Sequence, residues 1–141
     1  LVAKEHDTPP TGAPSIKQIG FYNPDNKEKF DPDAIYIGVL KYDINRAKDD
    51  EYLKDGFSED VAGNKLKRNV VEKEVIIGGK KSNEFTINFL NSETLKPVFL
   101  EYRILIPLLN QKTLTVQLFT ANNKAKKTLD EIIFPTFKFT N

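Results

Sequence analysis

The sequence predicts an all-β fold: an antiparallel β-sandwich carrying one short helical insertion. Three observations lead there. First, apolar and polar residues alternate in several short segments, as at Phe85, Ile87 and Phe89 against Glu84, Thr86 and Asn88, the pattern of a strand with one buried and one wet face. Second, about seven such segments follow one another with turn residues between them, which is the spacing of a sandwich. Third, no run alternates strands with long helices, so a parallel sheet is not expected.

Composition narrows the possibilities. The chain has 141 residues, the size of one domain. Hydrophobic residues make up 39% and charged residues 29%, with ten Phe and five Tyr, ordinary globular proportions with many strand formers. Lys and Arg number 21 against 20 Asp and Glu, a net charge of +1. That balance speaks against nucleic-acid binding, which needs a concentrated basic face, and against purely electrostatic attachment to an anionic membrane. With no Cys, a disulfide framework, a Cys-ligated zinc site and a thiol nucleophile are excluded. No apolar run approaches the length of a membrane-spanning helix. There is no Met, so a processed or trimmed N terminus is expected; an exported protein that has lost its leader and a cytosolic fragment both fit.

Residues 1–15, rich in Pro, Gly, Ala and Thr, offer too little to bury against their ordering entropy and read as a tether or disordered tail. A single domain is expected over 16–141. Ile16 to Tyr22 is a first strand, ended by Asn23-Pro24-Asp25, and 23–34 is a polar loop with two prolines that disfavour helix before them. Ile35 to Asp43, apolar at nearly every position, reads as a strand buried on both faces. Between Ala47 and Leu66 the pattern turns helical. Asp49 or Asp50 is placed to cap short turns packed by Tyr52, Leu53 and Phe57, with Val61 the last candidate, and Gly63-Asn64 ends them. Asn69 to Ile77 and Asn83 to Phe89 are strands joined at Gly78-Gly79, where Gly reaches the positive φ of a tight hairpin. Asn91-Ser92-Glu93 is a turn. Val98 to Ile106 places Val98, Leu100, Tyr102, Ile104 and Ile106 on one face and Phe99, Glu101, Arg103 and Leu105 on the other, with Pro107 ending it or leaving it at an edge. Thr113 to Phe119 turns Leu114, Val116 and Leu118 inward; 121–127 reads as a polar loop, and Ile132 to Phe139 as a last strand with a bulge or edge at Pro135.

Few residues suggest catalysis. His6, the one histidine, lies in the expected tail, whereas a Ser-His-Asp arrangement needs a held imidazole. The acidic clusters at 31–33, 49–51 and 59–60 lack calcium-loop spacing and read as solvated charge and helix caps. Gly78-Gly79-Lys80-Lys81 lies between strands, which favours a hairpin over a phosphate loop. Glu101 is the best single candidate for an acid, but on an alternating strand it faces the same way as Arg103 and is expected to neutralise it. No cofactor is called for, and an enzyme is the least expected class. Phe21, Tyr22, Phe30, Tyr42, Phe99 and Phe119 exceed what one core takes up. Most are expected to cover the second face, while Phe30, isolated in a polar loop, is singled out as an anchor for a partner.

The order of these features resembles the outer-membrane lipoproteins of type VI secretion systems, the TssJ family. The pieces that carry the likeness are Asn23-Pro24-Asp25, IYIGVLKYDI at 35–44, DDEYLKDGF at 49–57, VVEKEVIIGGKKSNEFTINF at 70–89, FLEYRIL at 99–105 and KTLTVQLF at 112–119. In place of the Ser-Pro pair common in that family, this chain has Asp31-Pro32-Asp33. The resemblance implies a transthyretin-like β-sandwich at the periplasmic face of the outer membrane, hung there by an N-terminal lipid absent from this chain. It further implies a complex with the periplasmic domain of a TssM-like inner-membrane protein. The partner contact it implies is the loop after the first strand, here Asn23, Asp25, Lys27, Glu28, Lys29, Phe30, Asp31 and Asp33, with the charged residues setting register. The alternative reading is an extracytoplasmic ligand- or carbohydrate-binding module, which a row of aromatics across neighbouring strands would favour.

Overall fold

The computed structural model describes residues 2–6, 15–22, 35–120 and 124–139, with side chains described for 35–120 and 125–139. Eight strands run in chain order as β1 (Val2–His6), β2 (Ser15–Tyr22), β3 (Ile35–Leu40), β4 (Ser58–Val61), β5 (Asn64–Ile77), β6 (Lys80–Asn91), β7 (Pro97–Leu108) and β8 (Lys112–Thr120). They form one hydrogen-bonded sheet in the order β1-β2-β3-β8-β7-β6-β5-β4, every pair antiparallel. The all-β antiparallel class with a short helical insertion is therefore the class of this protein.

Local chemistry accounts for the strand connections. Gly78 and Gly79 have φ of 57° and 80° and join β5 to β6 with Ile77 opposite Lys80, the two-residue turn that needs positive φ at both positions. Ala62 and Gly63, at 51° and 84°, make the same turn between β4 and β5. The Asn91 side chain accepts from the amides of Glu93 and Thr94, each at 3.0 Å, and closes the turn before β7. Pro107 stays inside β7 because the β6 ladder stops at Asn83 opposite Leu105, so its missing N–H breaks no bond on that side.

The long strands bury both faces. On the first face, Leu40, Leu66, Phe85, Ile87, Phe89 and Leu105 form a core with Ala47 and Leu53 of the insertion. The insertion consists of α1 (Ile44–Lys48) and a 3-10 turn at Glu51–Leu53. Asp43 caps α1 by accepting from the Arg46 amide at 2.9 Å, and Asp50 caps the 3-10 turn through Tyr52 at 3.0 Å. Asp50 was one of the two caps expected, whereas Asp49 stands at the C-terminal end of α1. Val61, expected within the helical insertion, belongs to β4 and is exposed.

On the second face, Ile35, Ile77, Ile104, Ile106, Val116 and Leu118 meet Leu129 and Phe134. These two come from a C-terminal cover made of α2 (Lys124–Thr128), a π-helical turn at Leu129–Ile133 and a 3-10 turn at Phe134–Thr136. Two sequence expectations change here. The stretch 132–139 is not a strand, and 124–127, expected as loop, is helical. Pro135 cannot donate to a ladder, and Leu129, Phe134 and Phe137 suit a helical face laid against the sheet better than a two-residue alternation. Among the described residues, helical turns pack on both faces of the sheet.

An ionic latch on the buried Glu84 carboxylate fastens the cover. Lys126 pairs with Glu84 of β6 and with Asp130 and lies 4.9 Å from the Tyr102 ring centre. The other Glu84 oxygen lies 3.1 Å from Lys73, an ion-pair contact outside hydrogen-bond geometry. Burial pulls the Lys126 ammonium down, but the hydrogen bonds of Asp130 and Glu84 outweigh it and hold the group above its ordinary value. At the far end, Phe139 lies over Gly78, where an added Cβ would come within 2.5 Å of its ring.

Residues 2–6, expected to belong to a tether, form β1 against β2, with Val2 opposite Tyr22 and His6 opposite Gln18. An open strand edge is a template for further pairing, and β1 occupies the outer edge of β2.

Candidate functional site

Among the described residues the helical insertion covers part of the first face. The insertion closes the half around Leu40, Leu53 and Leu105. The other half is a pocket of about 370 Å³ to which β3, β4, β5, β6, β7 and β8 all contribute, with Tyr52 at its side. A flat sheet could not bring six strands round one cavity, so the sheet curls about it.

Strand register builds the pocket as a lattice. Arg68 of β5 stands opposite Phe89 of β6, and Phe89 stands opposite Phe99 of β7. Two residues further along the same face, Glu101 stands opposite Phe119 of β8, and next to it Arg103 opposite Gln117. Gln117 in turn faces Tyr36 of β3. The aromatic rings touch in series: Phe89 stacks on Phe99 at 4.2 Å and 19°, Phe99 meets Phe119 at 6.5 Å, and Phe119 meets Tyr36 edge-on at 6.1 Å. Such pairs add stability beyond their buried area. At one end the Arg68 guanidinium lies 4.4 Å from the Phe89 ring centre and 5.0 Å from that of Tyr52, so the row ends in a cation–π clamp.

Beside this row runs an ionic chain. Arg68 donates from Nε and Nη2 to one Glu59 oxygen, at 2.9 and 2.6 Å, and from Nη1 to the Tyr52 carbonyl at 3.1 Å. Arg103 Nε donates to Glu101 Oε2 at 2.8 Å, and its Nη1 reaches Asp50 at 3.5 Å. Gln117 also donates to Glu101 Oε2, at 3.4 Å. Glu101 is 1% exposed and Arg103 4%, which makes this a buried pair, held because each charge is matched. Among the described residues Glu101 Oε1 accepts no hydrogen bond, and the Arg68 guanidinium, with Nη1 at 4.0 Å, is thus the ion-pair partner of this oxygen. At the closed end of the face, burial pushes the Tyr42 phenol up; Asp50 adds to this, while Arg46 and Arg103 act against it.

No family model, curated protein or solved structure matches this chain.

The reading that Glu101 and Arg103 share a face and neutralise each other describes their arrangement here. Phe99 and Phe119, noted as surplus to one core, line the pocket. Tyr52, expected only as packing, stands at its side. Arg68 and Tyr36 were not singled out from the sequence, Phe89 was read only as the inward face of a strand, and Glu59, read as solvated charge or a cap, is instead paired with Arg68. Arg68 and Phe89 carried one available signal: a charge and a ring in strands joined by a two-residue turn, whose register follows from that turn. The loop residues Asn23, Asp25, Lys27, Glu28, Lys29, Phe30, Asp31 and Asp33 lie outside the described residues, as does the side chain of His6. Among the described residues no group of three or more His, Cys, Asp or Glu is placed to hold a metal ion.

Proposed function

We propose that this domain is a non-catalytic recognition module that holds a small ligand in the curled first face. The observation that carries the reading is the contiguous aromatic row from Tyr36 to Phe89, set against a floor of matched charges, in a pocket of about 370 Å³. That volume falls at the lower end of the roughly 300–1,000 Å³ that small-ligand sites span. Apolar walls with a few convergent polar groups are the usual make-up of such sites. Strands joined by ladders hold every one of these side chains, so little ordering cost falls on binding. The test is a small-molecule fragment screen followed by two-dimensional amide NMR. Hits are expected to move the signals of Phe99, Phe119 and the Arg68 and Arg103 Nε–H groups. Hits that gather instead around the C-terminal cover would refute the reading.

A second reading keeps the domain as an assembly module of the type VI secretion kind, lipid-tethered at the outer membrane and bound to a TssM-like periplasmic domain. What favours it is the order of the described elements from β2 on: a strand, an apolar strand, the helical insertion, then after the short β4 a Gly-Gly hairpin and two further strands. Its test is a pull-down with such a periplasmic domain and a Phe30→Ala variant, expected to weaken the complex at unchanged thermal stability. Equal loss of folding and binding would sink it.

A further inference from the structure

We infer that the outer edge of β5, from Glu72 to Ile77, is a docking edge that takes an extended basic segment of a partner protein as an added antiparallel strand. β5 is 14 residues long, while β4 has four and pairs with Asn64 to Lys67 alone. The hairpin sets the backbone parity of the remainder. Ile77 opposite Lys80 across a two-residue turn is a hydrogen-bonded pair. The odd-numbered residues of β5 therefore turn their N–H and C=O groups to β6, and the even-numbered ones turn theirs outward. The first even positions are already used: Arg68 bonds through both groups to Gly56 and Phe57, and the Val70 amide donates to Asp55 at 2.8 Å. Beyond them, the outward groups of Glu72, Glu74 and Ile76 have no partner among the described residues. Such a row of open donors and acceptors is a template for another strand. Every ladder of this sheet is antiparallel, and an added strand continues that sense.

The usual devices that blunt an edge are missing along this stretch. It has no Pro, and the β5–β6 register runs without a bulge from Leu66 to Ile77. Apolar side chains stand open on both faces: Ile76 is 66% exposed and Val71 58%. The charges decide what fits. Glu72 is paired with Lys48 at 3.2 Å and Lys73 with Glu84 at 3.1 Å, whereas the exposed Glu74 has no ion-pair partner among the described residues. A second copy of the chain is disfavoured. The two-fold register that pairs all three open positions sets Glu74 opposite Glu74 of the other copy, and like charges directly opposite destabilise a ladder. A Lys or Arg opposite Glu74 does the reverse. Alternation then writes the partner's pattern: basic residues on the face of Glu72 and Glu74, and β-branched apolar residues on the face of Val71 and Val75. None of the residues from Glu72 to Ile77 lines the first-face pocket, so this surface is distinct from it.

The experiment joins amide hydrogen exchange to an NMR titration of the whole chain. In the free chain the amides of Glu72, Glu74 and Ile76 are expected to exchange fast, and those of Lys73 and Val75 slowly. The probe is the capped peptide Ile-Val-Lys-Val-Lys-Val-Thr, which sets its first Lys opposite Glu74 and its Ile opposite Ile76. It is expected to bind saturably and to slow exchange at Glu72, Glu74 and Ile76. Two control peptides separate the contributions. One has both Lys replaced by Glu; the other is N-methylated on the backbone of its first Lys, which keeps the charge and loses the donor. Each is expected to bind about tenfold more weakly. Glu74→Lys, at an exposed position, is expected to leave thermal stability unchanged and to reverse the preference between the Lys and Glu peptides. Slow exchange at the three amides of the free chain overturns the inference: independent of concentration it means that this chain already covers the edge, and rising with concentration it means a second copy. A Lys peptide that fails to bind, binds no better than either control, or shifts only residues away from β5 overturns it as well.

Discussion

Glu101→Ala removes the centre of the buried ionic chain, and its cost follows from what each neighbour loses. Arg103, 4% exposed, loses its 2.8 Å bond and keeps only Asp50 at 3.5 Å. Gln117, 2% exposed, loses the acceptor of its amide. Arg68 loses little, because both bonds to Glu59 remain. Breaking a buried pair by deleting one member costs about 3–5 kcal/mol. The surviving Asp50 contact and water entering from the pocket put this case near the lower end, about 3 kcal/mol. Glu101→Gln keeps an acceptor for Arg103 and loses only the charge, and is expected to cost about half as much. Replacing the pair together, as Glu101→Leu with Arg103→Met, removes both charges and is expected to cost less than Glu101→Ala alone. The assay is urea unfolding, comparing midpoints at constant slope. A Glu101→Ala cost below about 1 kcal/mol, or a double variant that loses the full sum of its single changes, would refute the view that mutual compensation holds these charges in place.

Leu129→Ala, at a fully buried position of the C-terminal cover, is expected to cost about 2–5 kcal/mol by chemical denaturation; a cost under about 1 kcal/mol would mean that the cover contributes little to the fold. Gly78→Ala forces a Cβ against Phe139 at positive φ, whereas Gly79→Ala meets no atom within 4 Å. The first should lower the thermal midpoint clearly more than the second, and equal effects would show that the Phe139 contact is not formed in solution. The latch around Lys126 makes stability alkali-sensitive. Its pKa is raised on folding, so its contribution is complete below the unfolded value of 10.5 and is lost as pH rises through the folded one. Burial likewise raises the neighbouring Tyr102 phenol above 10.0, with Lys126 acting against it and Glu84 and Asp130 adding, so it pulls stability the same way. Lys126→Met should flatten the fall in thermal midpoint above pH 10.5 relative to the parent chain; parallel curves would dismiss the latch.

Much of the fold was legible in the chain itself because its signals are local. Alternation along 83–89, 98–106 and 113–119 assigned each side chain to a face of its strand, and two adjacent glycines announced the β5–β6 hairpin, whose second strand begins at Lys80, three residues earlier than alternation alone suggested. Asp50 as a cap, and Glu101 beside Arg103 on one face, follow from backbone geometry that extends only a few residues. The strand order is another matter. Pairing β3 with β8 joins segments separated by most of the chain, and nothing in either strand names the other. That pairing brings Tyr36 alongside Phe119 and completes the pocket. The choice between a final strand and a helical cover at 129–139 was likewise made in three dimensions: Leu129, Phe134, Phe137 and Phe139 are apolar enough for either, and the uncovered face of the sheet decided. Periodicity says which side of an element is apolar, while only packing against a distant surface says what that side will meet, because contact is a property of the closed chain.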